Sequence, residues 1–205
     1  MDSIQQDDRT PLHRACSNGQ FNLVKKLIEE GAEIDAKDEM QWTPMIIASS
    51  AGHFEIVKYL IQKGAEINTT TINGQTALHY AASKGWRNIC QLLIESGADQ
   101  SIRDRLKQTP LHRAVSRGNE DVIQYLLNDS KNQLNSQDNI GNTPLHMACE
   151  DERETIVKIL LQNGARIDME NVDKKLPIDL CRDYQFKKLM KNLMMNNPSD
   201  SNHIS

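Results

Sequence analysis

The six letters TPLHRA stand at residues 10–15 and again at 109–114. The two copies start 99 residues apart, three times 33, and the intermediate steps are occupied. TPMIIA opens at Thr43 and TALHYA at Thr76; TPLHMA follows one residue late at Thr143, and LPIDLC begins at Leu176. The steps are therefore 33, 33, 33, 34 and 33 residues. A period of this size means stacked supersecondary units, none of which buries its apolar face alone.

Each letter of the repeat has a local task. Threonine at the first place is a good N-cap, because its hydroxyl accepts from an orphan helix N–H. Proline follows at the first helical position, where its missing N–H costs nothing. Leu12, Ala15 and Cys16 then share one face of a short helix. Gly19, Gly52, Gly85 and Gly118 end these first helices, supplying the positive φ of a tight turn. Second helices follow in FNLVKKLIEEGA, FEIVKYLIQKGA and NICQLLIESGA, stopped by Gly31, Gly64 and Gly97, with Gly164 in the same place later. Polar loops such as EIDAKDEMQW join one unit to the next.

These letters are the ankyrin-repeat signature, which the chain resembles from about residue 5 to residue 183. The resemblance implies an all-α repeat solenoid of stacked ankyrin repeats, each a helix-turn-helix with a hairpin loop. Five repeats are expected at 10–42, 43–75, 76–108, 109–142 and 143–175, with a degenerate cap at 176–195 and a half-hairpin at Gln5–Arg9. One domain is expected over 1–195, followed by a disordered polar tail at 196–205.

Composition fits such a fold: 38% of residues are hydrophobic and only 4% aromatic, which suits thin layers of Leu, Ile, Val and Ala. No run approaches the ~18 apolar residues of a membrane span, so no membrane association is expected. MDSIQQDDR lacks the basic start and apolar core of a signal peptide. The four cysteines lack CxxC spacing. Cys16 and Cys149 occupy the same slot of repeats four apart, beyond disulfide reach, and buried free thiols imply a reducing compartment.

The row His13, His79, His112 and His146 invites a metal or catalytic reading. A structural post explains it better, because each imidazole can bond to its own repeat's cap and turn. Neighbouring rings one repeat apart cannot share a zinc ion with ~2 Å bonds. Ile46 and Asp179 stand in the same place in two units. There is no glycine-rich phosphate loop and no nucleophile beside a base. The expectation is a chain that is no enzyme and takes no cofactor.

A non-catalytic solenoid is a surface for something else. Its contact residues are expected on hairpin tips and on the exposed side of each first helix. Along the stack, Asp7, Asp8, Asp38 and Glu39 make the first third acidic, interrupted by Arg9 and Arg14. Lys84, Arg105, Lys107, Arg113 and Arg117 make the middle basic, and Glu150, Asp151 and Glu152 turn it acidic again. A partner of opposite pattern would be steered and held in register. Trp42 on a tip is the expected anchor, with Trp86 a second candidate. Glu152 stands where four repeats have the turn glycine, so it must adopt an unfavourable φ or reshape the turn. A broken local rule suggests that Glu150–Glu152 serves contact rather than folding.

The run NTPLHMACEDER at 142–153 and GARIDMENVDKKLPIDL at 164–180 resembles the gankyrin family, ankyrin-repeat regulatory subunits and assembly chaperones of the 26S proteasome. ALHYAASKG at 77–85, the HRA at 112–114 and the pair Glu39 and Trp42 fit the same family. The resemblance implies a monomer of cytoplasm and nucleus. It implies a concave face that holds the C-terminal domain of one ATPase subunit of the 19S base. By position it carries contact roles onto Arg9, Glu39, Trp42, Lys84, Arg113, Asp151 and Glu152.

Two departures stand out. Gankyrin-like proteins have seven repeats, whereas this chain starts in the hairpin before the second, and its first repeat keeps internal-type letters instead of a polar cap. An apolar end left exposed there is one expectation, a short form the other. The LxCxE motif of some gankyrins is replaced by Met147, Cys149 and Asp151. Rival readings are a generic ankyrin adaptor and a regulator that binds a cyclin-dependent kinase. A net charge of −4 without a continuous basic stripe argues against nucleic acid.

Overall fold

The computed structural model describes residues 8–129 and 133–195. The expected half-hairpin before Asp8, including Asp7, and the expected tail at 196–205 lie outside the described residues. Eleven α-helices and no strand occur among those described. Five helix pairs follow one another: α1 (Pro11–Ser17) with α2 (Phe21–Glu29), α3 (Pro44–Ala51) with α4 (Phe54–Gln62), α5 (Ala77–Lys84) with α6 (Arg87–Glu95), α7 (Pro110–Arg117) with α8 (Glu120–Asp129), and α9 (Pro144–Glu150) with α10 (Glu154–Gln162). A 3-10 turn at Pro177–Leu180 and α11 (Tyr184–Met195) complete the series. This is the all-α repeat fold that the 33-residue period predicts.

Two compact units emerge from the contacts. The first takes the described residues of Met1–Ala81 and Asn88–Asp99, the second those of Ala82–Arg87 and Gln100–Ser205. In the first unit α1 packs on α2 and α3, and α4 on both α2 and α3. In the second, α7 packs on α8 and α9, α10 on α8, α9 and α11, and the 3-10 turn on α9 and α11.

The first helices start as their letters predict. Thr10, Thr43 and Thr143 are N-caps whose hydroxyls accept from the backbone of His13, Ile46 and His146, and a proline occupies the first turn of each. Ala15, Ala48 and Ala81 in the first unit, and Ala114 and Ala148 in the second, have essentially no exposed surface. Alanine there lets neighbouring helices approach closely, while larger side chains fill the interior. In the second unit these are Leu111, Val115, Ile123, Leu145, Ile156 and Leu160, each contributing roughly 1.5–3 kcal/mol on burial. At the start of the first unit, Leu23 remains 40% exposed, in line with the internal-type letters of the first repeat.

The loops between repeats are built around one side chain each. Asp38 Oδ1 accepts from the N–H of Met40 and Trp42 at 3.0 and 2.7 Å. Asp104 takes Leu106 and Gln108, Asp138 takes Ile140 and Asn142, and Asn171 takes Asp173 and Lys175. Such side-chain-to-backbone bonds imitate a turn. The third residue past each of these side chains has positive φ, Gln41 (60°), Lys107 (56°), Gly141 (80°) and Lys174 (58°), as does Gly74 (75°), three past Thr71, whose hydroxyl accepts from Gln75 N–H. Asp38 therefore corrects the reading of an acidic tip: it is only 4% exposed, because its carboxylate faces its own loop.

Candidate functional site

The histidine row is a chain of posts. Thr109 N–H donates to His112 Nδ1 at 3.2 Å, and the Thr109 hydroxyl lies 2.9 Å from the same nitrogen. With Nδ1 accepting a backbone proton, the neutral ring has its own proton on Nε2, which reaches Asn142 O at 3.3 Å. His146 repeats this with Thr143 and Lys175 O. In the first unit His13 does so with Thr10 and Trp42 O, and His79 Nδ1 takes Thr76. The reading of bonds to the repeat's own cap thus holds, and the far nitrogen adds a bond to the next loop. Burial pushes His112 down to about 4 and lowers His146 as well, since both must remain neutral to fit.

The first unit brings Arg9, Glu39 and Trp42 to one loop. Arg9 Nε bonds Asp38 Oδ2 at 3.1 Å, so its charge is already matched by a carboxylate. The Asp8 carboxylate takes the Glu39 N–H, while Glu39 itself is exposed. Trp42 is half-buried, against the expectation of an exposed tip, because its ring lies on Tyr80 with centroids 4.4 Å apart and planes tilted by 41°. Trp42 and Tyr80 thus form an aromatic pair.

The second unit holds the remaining expected residues. Lys84, Arg105, Lys107 and Arg117 are exposed. Arg113 is not an open charge: its Nε and Nη2 both bond the buried carboxylate of Asp104, the former at 3.0 Å. Glu150 and Asp151 are exposed, Glu150 facing Arg182 at 3.6 Å and Asp151 facing Arg153 at 3.3 Å.

Glu152 adopts φ 53°, the unfavourable conformation expected of it. Its Oε1 accepts from the N–H of Arg182 and Asp183 at 2.8 and 2.6 Å. Glu152 therefore has a role in the fold as well, since its carboxylate holds the terminal segment. Trp86 is 39% exposed, and its neighbour Arg87 lies over the Tyr125 ring at 5.4 Å.

Two features escaped sequence reasoning. In three repeats the residue after the turn that ends the first helix reaches back to the previous first helix. His53 Nε2 lies 3.1 Å from Ser17 O in the first unit. In the second, Asn119 donates to Ala82 O and Ser83 O, and Arg153 to Ser116 O. The signal was a polar residue, His, Asn or Arg, at one fixed place. The other feature is a row of exposed apolar tips in the second unit, Leu106, Ile140 and Val172. Backbone bonds join these tips, from Asn139 N to Leu106 O and from Val172 N to Ile140 O.

Among the described residues no helix is long and apolar enough to cross a membrane. Comparison with curated proteins finds no match. The family model described as ankyrin repeats (3 copies) matches residues 1–71, 66–138, 97–173 and 121–202. Such repeats are in general protein-interaction scaffolds without catalysis of their own. With matches along almost the whole length, this chain belongs to the ankyrin-repeat family.

Proposed function

We propose that this chain is a non-catalytic scaffold that holds the C-terminal domain of one proteasomal ATPase subunit during assembly of the regulatory particle, in cytoplasm and nucleus. The observation that carries the reading lies in the second unit. Basic side chains at Lys84, Arg105, Lys107 and Arg117 and carboxylates at Glu150 and Asp151 are all exposed on successive repeats. Apolar tips at Leu106 and Ile140 accompany them. A partner domain carrying both signs of charge would be selected by such a surface, chiefly through on-rate and register. The likeness of NTPLHMACEDER to the gankyrins points to the ATPase as that partner. The Trp42–Tyr80 pair and Glu39 offer a further anchor in the first unit.

The test is calorimetric titration with the isolated C-terminal domain of each proteasomal ATPase, at low and high salt. Binding to one of them, weakened by salt and by Glu150→Gln with Asp151→Asn, supports the reading. Glu152 is left intact there, because its carboxylate is already engaged by the N–H groups of Arg182 and Asp183. No binding to any domain would leave an adaptor for another protein, and a pull-down with cyclin-dependent kinases would then examine the kinase alternative.

A further inference from the structure

Three loops of the second unit, at 103–108, 137–142 and 170–175, precede α7, α9 and the 3-10 turn. Their apolar tips stand open: Leu106, Ile140 and Val172 are 46, 49 and 64% exposed. The backbones beneath them are nevertheless fixed. Asn139 N–H donates to Leu106 O at 2.9 Å and Val172 N–H to Ile140 O at 3.0 Å. Two long side chains brace the same loops. Arg103 donates to Lys107 O in its own loop and to Gln137 O in the next. Gln137 donates in turn to Gly141 O and, one loop further, to Glu170 O. Open apolar side chains on adjacent, braced loops form a patch rather than scattered exposure.

The charges around this patch are mostly of one sign. Arg103, Arg105, Lys107, Lys174 and Lys175 are exposed on the three loops, against Glu170 and Asp173 as exposed carboxylates. Glu170 faces Lys174 at 3.6 Å. The remaining carboxylates of the loops are buried and engaged, Asp104 by Arg113 and Asp138 by the N–H of Ile140 and Asn142. A cationic edge on a chain of net charge −4 attracts an acidic ligand. None of the three loops contains an aromatic residue, so the edge offers no ring on which a nucleic-acid base could stack.

We infer that this edge docks an extended acidic segment of a partner protein, with an apolar residue at every third position between the carboxylates. The spacing selects that conformation. Leu106 and Ile140 hold the same place in successive repeats, two residues past Asp104 and Asp138, and α7 packs directly on α9. Successive tips are therefore about 8–10 Å apart, the distance between packed helices. A polyproline-type segment returns to one face every three residues, about 9 Å, whereas a strand does so every two, about 7 Å. Val172, bonded to Ile140 through the backbone, widens the row at its far end. Loops already braced lose little freedom when the segment docks. The inference does not depend on the ATPase reading, although Arg105, Lys107, Leu106 and Ile140 serve both.

The experiment titrates the full chain into a fluorescein-labelled peptide of repeated Leu-Pro-Glu triplets and reads fluorescence anisotropy at low and high salt. Saturable binding that salt weakens is expected. Affinity should fall roughly tenfold or more in Leu106→Ser with Ile140→Ser, and again in Arg105→Gln with Lys107→Gln. All four side chains are exposed, and circular dichroism checks that each variant keeps its helix. Equal affinity for a peptide with serine in place of leucine overturns the inference, because the edge would then be attracting any polyanion. Equal affinity for a shuffled peptide of the same composition overturns it through the spacing. So does unchanged affinity in either variant, or a failure of the unaltered chain to saturate. If the peptide binds while no ATPase domain does, only the ATPase reading fails; the reverse result removes the acidic-segment edge alone.

Discussion

The joints on either side of the fifth repeat use adjacent residues of one turn, Arg153 and Glu152, with opposite polarity. Between repeats four and five, Arg153 of the later repeat reaches back over Gly118 and donates to Ser116 O, at the C-terminal end of α7. Between repeats five and six, Glu152 of the earlier repeat reaches forward and accepts from the N–H groups of Arg182 and Asp183, ahead of α11. A cation at a helix C-terminus and an anion before a helix N-terminus are each the sign that the helix dipole favours. The difference follows from the last repeat. Its first helix shrinks to a 3-10 turn and Asp179 takes the place of histidine, accepting from Leu176 N–H at 3.0 Å. An internal joint can therefore rest on a glycine turn and a histidine post. The terminal one needs a side chain that bridges forward, and Glu152 holds a left-handed backbone to provide it.

The largest break in this comparison is expected from His112→Ala. It leaves Thr109 N–H and the Asn142 carbonyl without their partner in a fully buried place and opens a cavity. The cost should be about 4 kcal/mol, read from the shift of the urea midpoint. His146→Ala should cost less, because the terminal joint retains the Glu152 bridge. Equal losses at the two positions would mean that the bridge contributes little.

Acid should act on the same posts. Below about pH 6.5 an unfolded chain protonates its histidines, whereas His112 in the fold resists protonation down to about 4. Between those values the unfolded state binds more protons, so stability is complete above 6.5 and falls as the pH drops toward 4. The difference corresponds to on the order of 3 kcal/mol. His146, also lowered, adds to the same slope. Urea midpoints at pH 7.5 and 5 should show a smaller acid loss for His112→Gln than for the unaltered chain.

Much of this was legible in the sequence because its signals are local. Thr-Pro before a small-residue helix sets the start of a unit wherever it occurs, and the 33-residue step repeats it. The positive φ at position 152 was also legible, since the comparison with glycine at four earlier turns needs only alignment. What Glu152 does with its carboxylate was not, because its partners lie 30 and 31 residues on, in the next repeat. The same limit hid the pairing of Arg9 with Asp38 and of Arg113 with Asp104. A charge read from sequence has a sign but no direction.

A smaller effect is expected at Gly118. Its φ is 76°, and a Cβ there would collide with the Arg153 guanidinium. Gly118→Ala should cost about 2 kcal/mol, part backbone strain and part displacement of Arg153 from Ser116 O. In a chain that already has Arg153→Ala, the same change should cost only the strain, about 1 kcal/mol. Additive losses would show that Arg153 moves aside freely and that its back-reaching bond is dispensable.

The smallest effect tests the terminal joint itself. Glu152→Ala keeps the left-handed backbone, with its cost of about 1 kcal/mol, and loses the carboxylate that holds Arg182 and Asp183. Because those N–H groups lie near the surface, water replaces part of the loss, and the net change should be about 1 kcal/mol. Glu152→Gly loses the same bonds but relieves the strain, so its stability should lie close to that of the unaltered chain. The order expected from urea midpoints is therefore Glu and Gly together, with Ala below both. Amide exchange separates the first two: Arg182 and Asp183 should exchange several-fold faster with Gly, since the bridge is gone although the total stability is kept. If Gly at 152 proved clearly more stable than Glu, the strain would outweigh the bridge, and the forward-reaching carboxylate would be a cost to the fold rather than its terminal tie.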